Sequence, residues 1–213
     1  NRIPGLLEVN APLIEEQAAH RGLVDRARAE QVAARAFGDA TALIAVSDEV
    51  GSYLRQRCGR AEAVRVIPNG VNPERFPAEY ESTWRWADQK RAFTIGFVGT
   101  LKPWHGVARL LEAFAIVRKQ FADARLLLVG DGPERVALET RVRELELVAV
   151  THFTGAVAAE VIPGWLAAMD VAVAPYPQLE NFYFSPLKAY EYMAAGCATV
   201  ASRIGQLKDL IQH

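Results

Sequence analysis

From residue 93 to the end of the chain, short apolar runs alternate with longer amphipathic stretches, and this rhythm constrains the fold more than any other feature. The runs at 93–98 (FTIGFV), 125–129 (RLLLV), 171–174 (VAVA) and 198–201 (ATVA), with a shorter one at His152 and Phe153, read as buried strands. Between them Val107, Leu110, Leu111, Phe114 and Val117 recur at helical spacing, as do Leu138, Val142 and Leu145; stretches 158–169 and 186–195 complete the helices. A parallel neighbour is reached only through a crossover long enough to hold a helix, so the pattern implies βαβ units and a doubly wound parallel sheet of the α/β class. In such sheets ligands sit beyond the carboxyl ends of the strands, near the switch in strand order. The loops after Val98, Val129, Phe153 and Ala174 are therefore where chemistry is expected.

The first third reads as part of a second α/β unit. A helix is expected over 23–37, a strand over 42–46, a helix over 48–58 opened by Ser47 and Asp48, and a strand over 63–67 stopped by Pro68-Asn69-Gly70. The organisation expected is thus 1–80 as the end of one Rossmann-like domain, 81–92 as a linker carrying Trp84 and Trp86, and 93–213 as a second such domain cut short at its end. Trp84 and Trp86 could equally cap an apolar patch on either neighbour.

Composition narrows the function classes. With 24 Lys+Arg against 25 Asp+Glu and a net charge of −1, nothing points to a nucleic-acid partner. Cys58 and Cys197 are too few for a disulfide framework and suit a reducing cytoplasm. His20, His105, His152 and His213 lack metal-ligand spacing, so no metal site is expected. No apolar run reaches the roughly 18–20 residues of a membrane-spanning helix. The opening NRIPGLLEVNAPLIEEQ has neither an initiator Met nor a signal-peptide pattern, and is read as an interior cut from a longer protein.

The segment from Ser185 to Glu191 has the make-up of an anion site. Ser185 is a favoured N-cap and Pro186 suits the first helical position. The free amides of Leu187 and Lys188 would carry the positive end of the helix dipole, and Lys188 adds a full charge. Glu191 lies one turn further along the same face, placed to hold a sugar diol. The same residues also describe an ordinary Ser-Pro helix start with a surface ion pair, and the pattern alone does not choose. Residues 102–106 (KPWHG) end a strand at the expected sheet edge, but also read as a turn with an exposed aromatic. Gly130-Asp131-Gly132 is a tight turn first and a pocket wall second, since Arg135 breaks the dinucleotide fingerprint. Gly155 would let the backbone approach a base closely. Tyr176, Phe182, Tyr183 and Phe184 form an aromatic group more in keeping with core or lid.

The run SPLKAYEYMAAGCATVAS, residues 185–202, resembles the signature of the retaining family 4 (group 1) glycosyltransferases, whose GT-B fold sets two Rossmann-like domains face to face. VIPNGVNPERF (66–76) is similar to that family's interdomain segment and FVGTLKPWHGVARLLEAF (97–114) to the first strand, loop and helix of its donor domain. LLLVGDGPER (126–135), FTGAV (153–157) and MDVAVAPY (169–176) follow in order. The resemblance implies that Glu191 binds the nucleotide ribose, that Ser185, Pro186 and Leu187 form the diphosphate site, and that Gly99, Thr100, His105 and Gly155 line the donor pocket. Two departures stand out. Tyr183 replaces the first of the family's two Glu residues, leaving Glu180, Asn181 or backbone to meet the sugar. Thr100 and His105 replace the Arg and Lys that usually hold the diphosphate, with Lys102 and Lys188 as the substitute catalytic cations.

What the resemblance implies is transfer of a sugar from a nucleoside diphosphate sugar to an acceptor hydroxyl, with retention and without a metal or other cofactor. The acceptor is open among glycan, lipid carrier and small molecule. A cytoplasmic location is expected, with peripheral attachment at the inner membrane face left open for the full-length protein. Alternatives are a sugar-nucleotide epimerase of GT-B fold, a non-catalytic nucleotide- or partner-binding domain and, a poor third, a nicotinamide-binding domain. As a fragment, the chain is expected to bind nucleotide weakly and to transfer no sugar.

Overall fold

The computed structural model describes residues 3–20, 22–77, 80–82, 84–86, 92–179 and 182–211. The chain forms two compact units, Asn1–Asn69 with Glu180–Pro186, and Gly70–Leu179 with Leu187–His213. The division thus falls at residue 69 and not near 80, and a short later segment returns to the first unit. Glu180 and Asn181 lie outside the described residues.

The first unit is a three-stranded parallel sheet, β1 (Leu6–Val9), β2 (Ala42–Ala45) and β3 (Val64–Val66), in that spatial order, with helices α1 (Leu13–His20), α2 (Arg26–Asp39) and α3 (Asp48–Arg57). Helix α2 begins three residues later than the apolar pattern suggests, because the Asp25 carboxylate accepts from the Arg28 amide at 2.9 Å and sets the cap there. Ser47 caps α3 by accepting from the Val50 amide at 3.1 Å. Asp48 and Glu49 in its first turn and Arg55 and Arg57 in its last complement the helix dipole. The Arg60 guanidinium donates to the Ala40 carbonyl at 2.7 Å and to those of Phe37 and Gly38 at 3.2 Å, satisfying acceptors that the end of α2 leaves open. Leu43, Ala45, Val46, Val50, Leu54 and Val64 form the core, with Tyr183 packed against it.

The second unit is a five-stranded parallel sheet in the order β6-β5-β4-β7-β8. Its elements are β4 (Thr94–Val98), α4 (Val107–Gln120), β5 (Arg125–Val129), α5 (Arg135–Glu144), β6 (Thr151–Phe153), α6 (Ile162–Leu166), β7 (Val171–Ala174), α7 (Leu187–Ala194), β8 (Ala198–Ala201) and α8 (Leu207–Leu210). From β4 the chain winds outward through β5 to β6, then crosses to β7 on the other side of β4. The switch point therefore lies between the carboxyl ends of β4 and β7. Phe97, Leu101, Leu111, Phe114, Leu126 and Leu128 are each essentially inaccessible to solvent, and each contributes roughly 1.5–3 kcal/mol through burial.

One expectation changes here, and one open alternative is decided. The single helix over 158–169 is instead a 3-10 turn, Ala159–Val161, followed by the five-residue α6. Pro163 has no N–H to donate and so belongs to the first turn of a helix, not its middle. Trp84 and Trp86 are not simply linker: Trp84 stacks on His152 at 4.9 Å and packs at 5.8 Å from Trp165, and the Trp86 indole donates to Thr94 Oγ1 at 3.0 Å. They cover the second unit.

Candidate functional site

The loops that follow β4 and β5 are joined backbone to backbone. The Gly99 amide donates to the Val129 carbonyl, and the Leu101 amide to the Asp131 carbonyl, each at 2.9 Å; the Glu134 amide returns to the Leu101 carbonyl at 3.1 Å. This closeness requires glycine. A Cβ on Gly130, where φ is +131°, would lie 2.1 Å from the Gly99 oxygen, and one on Gly106 would lie 1.9 Å from the Pro175 oxygen. The 130–132 segment is the tight turn expected of it, with the Gly132 amide bonded to Asp131 Oδ1 at 2.7 Å.

Helix α7 directs Lys188 into this loop cluster. Its ammonium is 4.6 Å from the Phe97 ring centroid and 4.8 Å from that of Tyr176. A Cβ on Gly99 would meet Lys188 Nζ at 3.3 Å. The residue is only 8 % exposed, and Nζ has no hydrogen-bond partner. Burial pushes its pKa from 10.5 down to about 7, against an opposing effect of Glu191. Glu191 is half-buried one turn along; burial raises its carboxyl, while Arg75 and Lys188 act to hold it down. An ammonium with no acceptor, at the edge where the strand order reverses, is a group prepared for an anion.

His105 belongs to the same cluster but not as a cation. Its Nδ1 contacts the Thr100 carbonyl at 2.5 Å; a carbonyl can only accept, so Nδ1 carries the proton and Nε2 is left as an acceptor. Burial, then Lys188, then Lys102 as well, lower its pKa to about 4. Thr100 contributes this carbonyl, which also accepts from the Lys102 amide at 2.9 Å, while its side chain is exposed. Lys102 is half-exposed with Nζ 5.0 Å over the Trp104 ring. Of the two expected cations, Lys188 alone is buried at the strand ends. Gly155, at φ +75°, bridges to Gly130 at the end of β6.

Ser185 is placed differently from its expected role. Its hydroxyl accepts from the Asn69 amide at 3.0 Å, within the first unit, and α7 begins at Leu187 with Pro186 just before it. Leu187 is 47 % exposed at the helix start. Tyr183 also belongs to the first unit, where its hydroxyl donates to Glu16 Oε2 at 3.1 Å and its carbonyl accepts from Ser47 Oγ at 2.8 Å. The aromatic group is thus divided: Phe182 meets Phe184 edge-on and Tyr183 packs at a tilt on Phe184 in the first unit, and Tyr176 meets His105 and Lys188 in the second.

Three contributors escaped the sequence reading: Arg75, whose charge acts on Glu191 and whose guanidinium donates to the Ala159 carbonyl at 2.8 Å; the Phe97 ring beneath Lys188; and Tyr192. Tyr192 alone had a local signal, four residues after Lys188 and hence on its face of the helix. A cavity of about 690 Å³ in the first unit, lined by Leu7, Ile14, Val32, Phe37 and Tyr53 among others, takes in none of the expected site residues. Among the described residues no three of His, Cys, Asp and Glu gather to hold a metal ion, and no helix is long and apolar enough to cross a membrane.

Comparison with known proteins places the chain among glycosyltransferases. The profile of the family "Glycosyl transferases group 1" matches residues 92–213, and that of "Glycosyltransferase Family 4" matches residues 16–75. The 2-deoxystreptamine glucosyltransferase of Streptomyces kanamyceticus is 30% identical over 180 residues, covering 81% of this chain and 45% of the relative. A GDP-mannose-dependent phosphatidylinositol monomannoside mannosyltransferase of Mycobacterium tuberculosis is 27% identical over 195 residues, covering 84% and 48%. The crystal structure of Anabaena HepE in complex with UDP-glucose superposes with a TM-score of 0.75 at 25% identity, covering 100% of this chain and 57% of that one. The fold is that of the GT-B glycosyltransferases. The chain spans about half the length of the curated relatives it matches.

Proposed function

The chain belongs to the group 1 glycosyl transferases, and on that premise we propose that it supplies the donor-binding part of an enzyme that moves a sugar from a nucleoside diphosphate sugar to an acceptor hydroxyl with retention at the anomeric carbon. The observation that carries this reading is the buried, unpartnered ammonium of Lys188 beside Gly99. Relatives named for GDP-mannose and a neighbour solved with UDP-glucose support the donor class.

In this reading the diphosphate lies against the Gly99–Lys102 loop and the start of α7. Leu187 and Lys188 amides face it, Lys188 Nζ pairs with the β-phosphate, and Lys102 turns from Trp104 to join it. Glu191 holds the ribose diol. As the anomeric bond breaks, negative charge grows on the leaving β-phosphate, and fixed positive groups in a poorly hydrated site favour that state over the ground state. Neutral His105 offers Nε2 as an acceptor for a hydroxyl of the donor. Leaving-group stabilisation is thereby assigned to side chains and amides, and the reaction is proposed to run without a metal. The two thiols, both free, fit a cytoplasmic location.

Calorimetric titration with UDP, GDP and ADP, and with their sugars, tests the assignment. Binding of at least one nucleotide is expected, and Glu191→Ala should weaken it by about tenfold or more, since a lost bond to a charged group costs about 1.5–3 kcal/mol. Unchanged affinity in Glu191→Ala would falsify the ribose assignment.

A further inference from the structure

The two central strands of the second unit are paired unevenly. β4 pairs with β5 over five residue pairs and β7 with β8 over four, but β4 and β7 pair only at Ile95–Val171 and Gly96–Ala172. Amides alternate sides along a strand, and the Gly99 amide goes to β5, so the Val98 amide faces β7. Its acceptor is not β7 but the hydroxyl of Tyr192, at 2.9 Å. The same hydroxyl lies 3.3 Å from the Val98 oxygen and 3.5 Å from the Val173 oxygen, and its one proton serves either. Tyr192 is 0 % exposed, so these bonds have no competing water. A side-chain hydroxyl therefore stands where the two parallel strands would otherwise continue their ladder. Lys188, four residues earlier on the same helix face, enters nearer the mouth, beside Gly99.

We infer that Tyr192 is the positioning residue of the site: its hydroxyl sets the separation of the β4 and β7 ends, and with it the gap that receives Lys188 and the anion. The inference rests on the reading of Gly99 and Lys188 as diphosphate-binding groups. Phenylalanine would keep the ring but leave the Val98 amide without its acceptor, in a place too dry for water to replace it. The strand ends would then move to find partners, carrying the Gly99 loop with them.

The test titrates UDP and GDP into the 213-residue chain and into Tyr192→Phe, Lys188→Met and Val142→Ala, the last a core truncation in α5, well below the unfolding temperature of each. Tyr192→Phe and Lys188→Met should each bind about tenfold or more weakly, with Val142→Ala within about twofold of the parent. Parent-like binding by Tyr192→Phe beside weak binding by Lys188→Met overturns the positioning role alone. Parent-like binding by Lys188→Met overturns the site reading and this inference with it. Equal losses in Tyr192→Phe and Val142→Ala reduce the effect to general stability and overturn it. Should Tyr192→Phe not fold, amide exchange in the parent chain decides. The Val98 amide should be protected as strongly as that of Leu127 and become more so with UDP, and indifference to UDP overturns the inference.

Discussion

The ammonium of Lys188 sits 4.6 Å from the centre of the Phe97 ring, with no hydrogen bond to any other group. The ring face offers a diffuse attraction, not an acceptor, and does not offset the loss of water around the charge. Proton binding is weakened accordingly, to a pKa of about 7 from 10.5. Between those values the unfolded chain binds a proton that the folded chain lacks, so stability rises with pH across that window and the gain is lost as pH falls to about 7. A bound diphosphate favours the charged form, so nucleotide affinity should move the other way. It should fall by up to about tenfold per pH unit above pH 7. Calorimetry from pH 6 to 9 in buffers of different ionisation enthalpy should show proton uptake on binding, and Lys188→Met should abolish both the uptake and the slope.

His105 has the same sign of effect on the acid side. Its pKa of about 4 lies below the ordinary 6.5, so the unfolded state binds the extra proton between these values. The stability it contributes is complete above pH 6.5 and is lost as pH falls through about 4. Thermal unfolding from pH 7 to 4 should show a shallower acid loss in His105→Gln than in the parent chain. An equal loss would mean that the imidazole is not held neutral by burial and the two lysines.

Much of the second unit was legible because buried parallel strands are near-continuous apolar runs closed by turn residues. Arg125–Val129, Val171–Ala174 and Ala198–Ala201 lie where that pattern puts them. Residues 158–169 misled because apolar spacing alone carries no penalty for Pro163, and 23–37 because Asp25 caps the helix beyond its first apolar residue. Strand β1 and helix α1, in a segment with no clear period, were missed. At the site, Lys188 and Glu191 could be paired on one helix from their spacing. That Lys188 reaches Phe97, that Arg75 acts on Glu191, and that Ser185 and Tyr183 belong to the first unit depend on contacts between distant segments, for which the local pattern has no signal. A tyrosine on an apolar helix face reads as core, and only the short β4–β7 ladder gives Tyr192 a further meaning.

Gly130 tests how firmly the loops after β4 and β5 are joined. An alanine methyl there would fall 2.1 Å from the Gly99 oxygen, and the φ of +131° is strained for any L side chain. Since the obstacle is backbone, relief requires the strand ends to part. Gly130→Ala should lose about 2–4 kcal/mol of stability in urea unfolding, together with nucleotide affinity. Gly5→Ala, where the methyl meets nothing within 4 Å, is the matched control and should lose neither.

Tyr183 occupies the place where the family's first carboxylate is expected, and its surroundings explain why restoring the acid should not restore sugar contacts. Its hydroxyl is bonded to Glu16, its carbonyl to Ser47, and its ring packs against the core of the first unit. Tyr183→Phe removes one half-buried bond and should cost about 1 kcal/mol, with UDP affinity unchanged. Tyr183→Glu sets a second carboxylate toward Glu16 and withdraws a ring from the core, so it should be clearly the less stable of the two and gain no affinity for UDP-glucose over UDP. A gain in that ratio would show that residue 183 reaches the sugar, and would overturn the proposal that the Lys188–Glu191 helix alone recognises the donor.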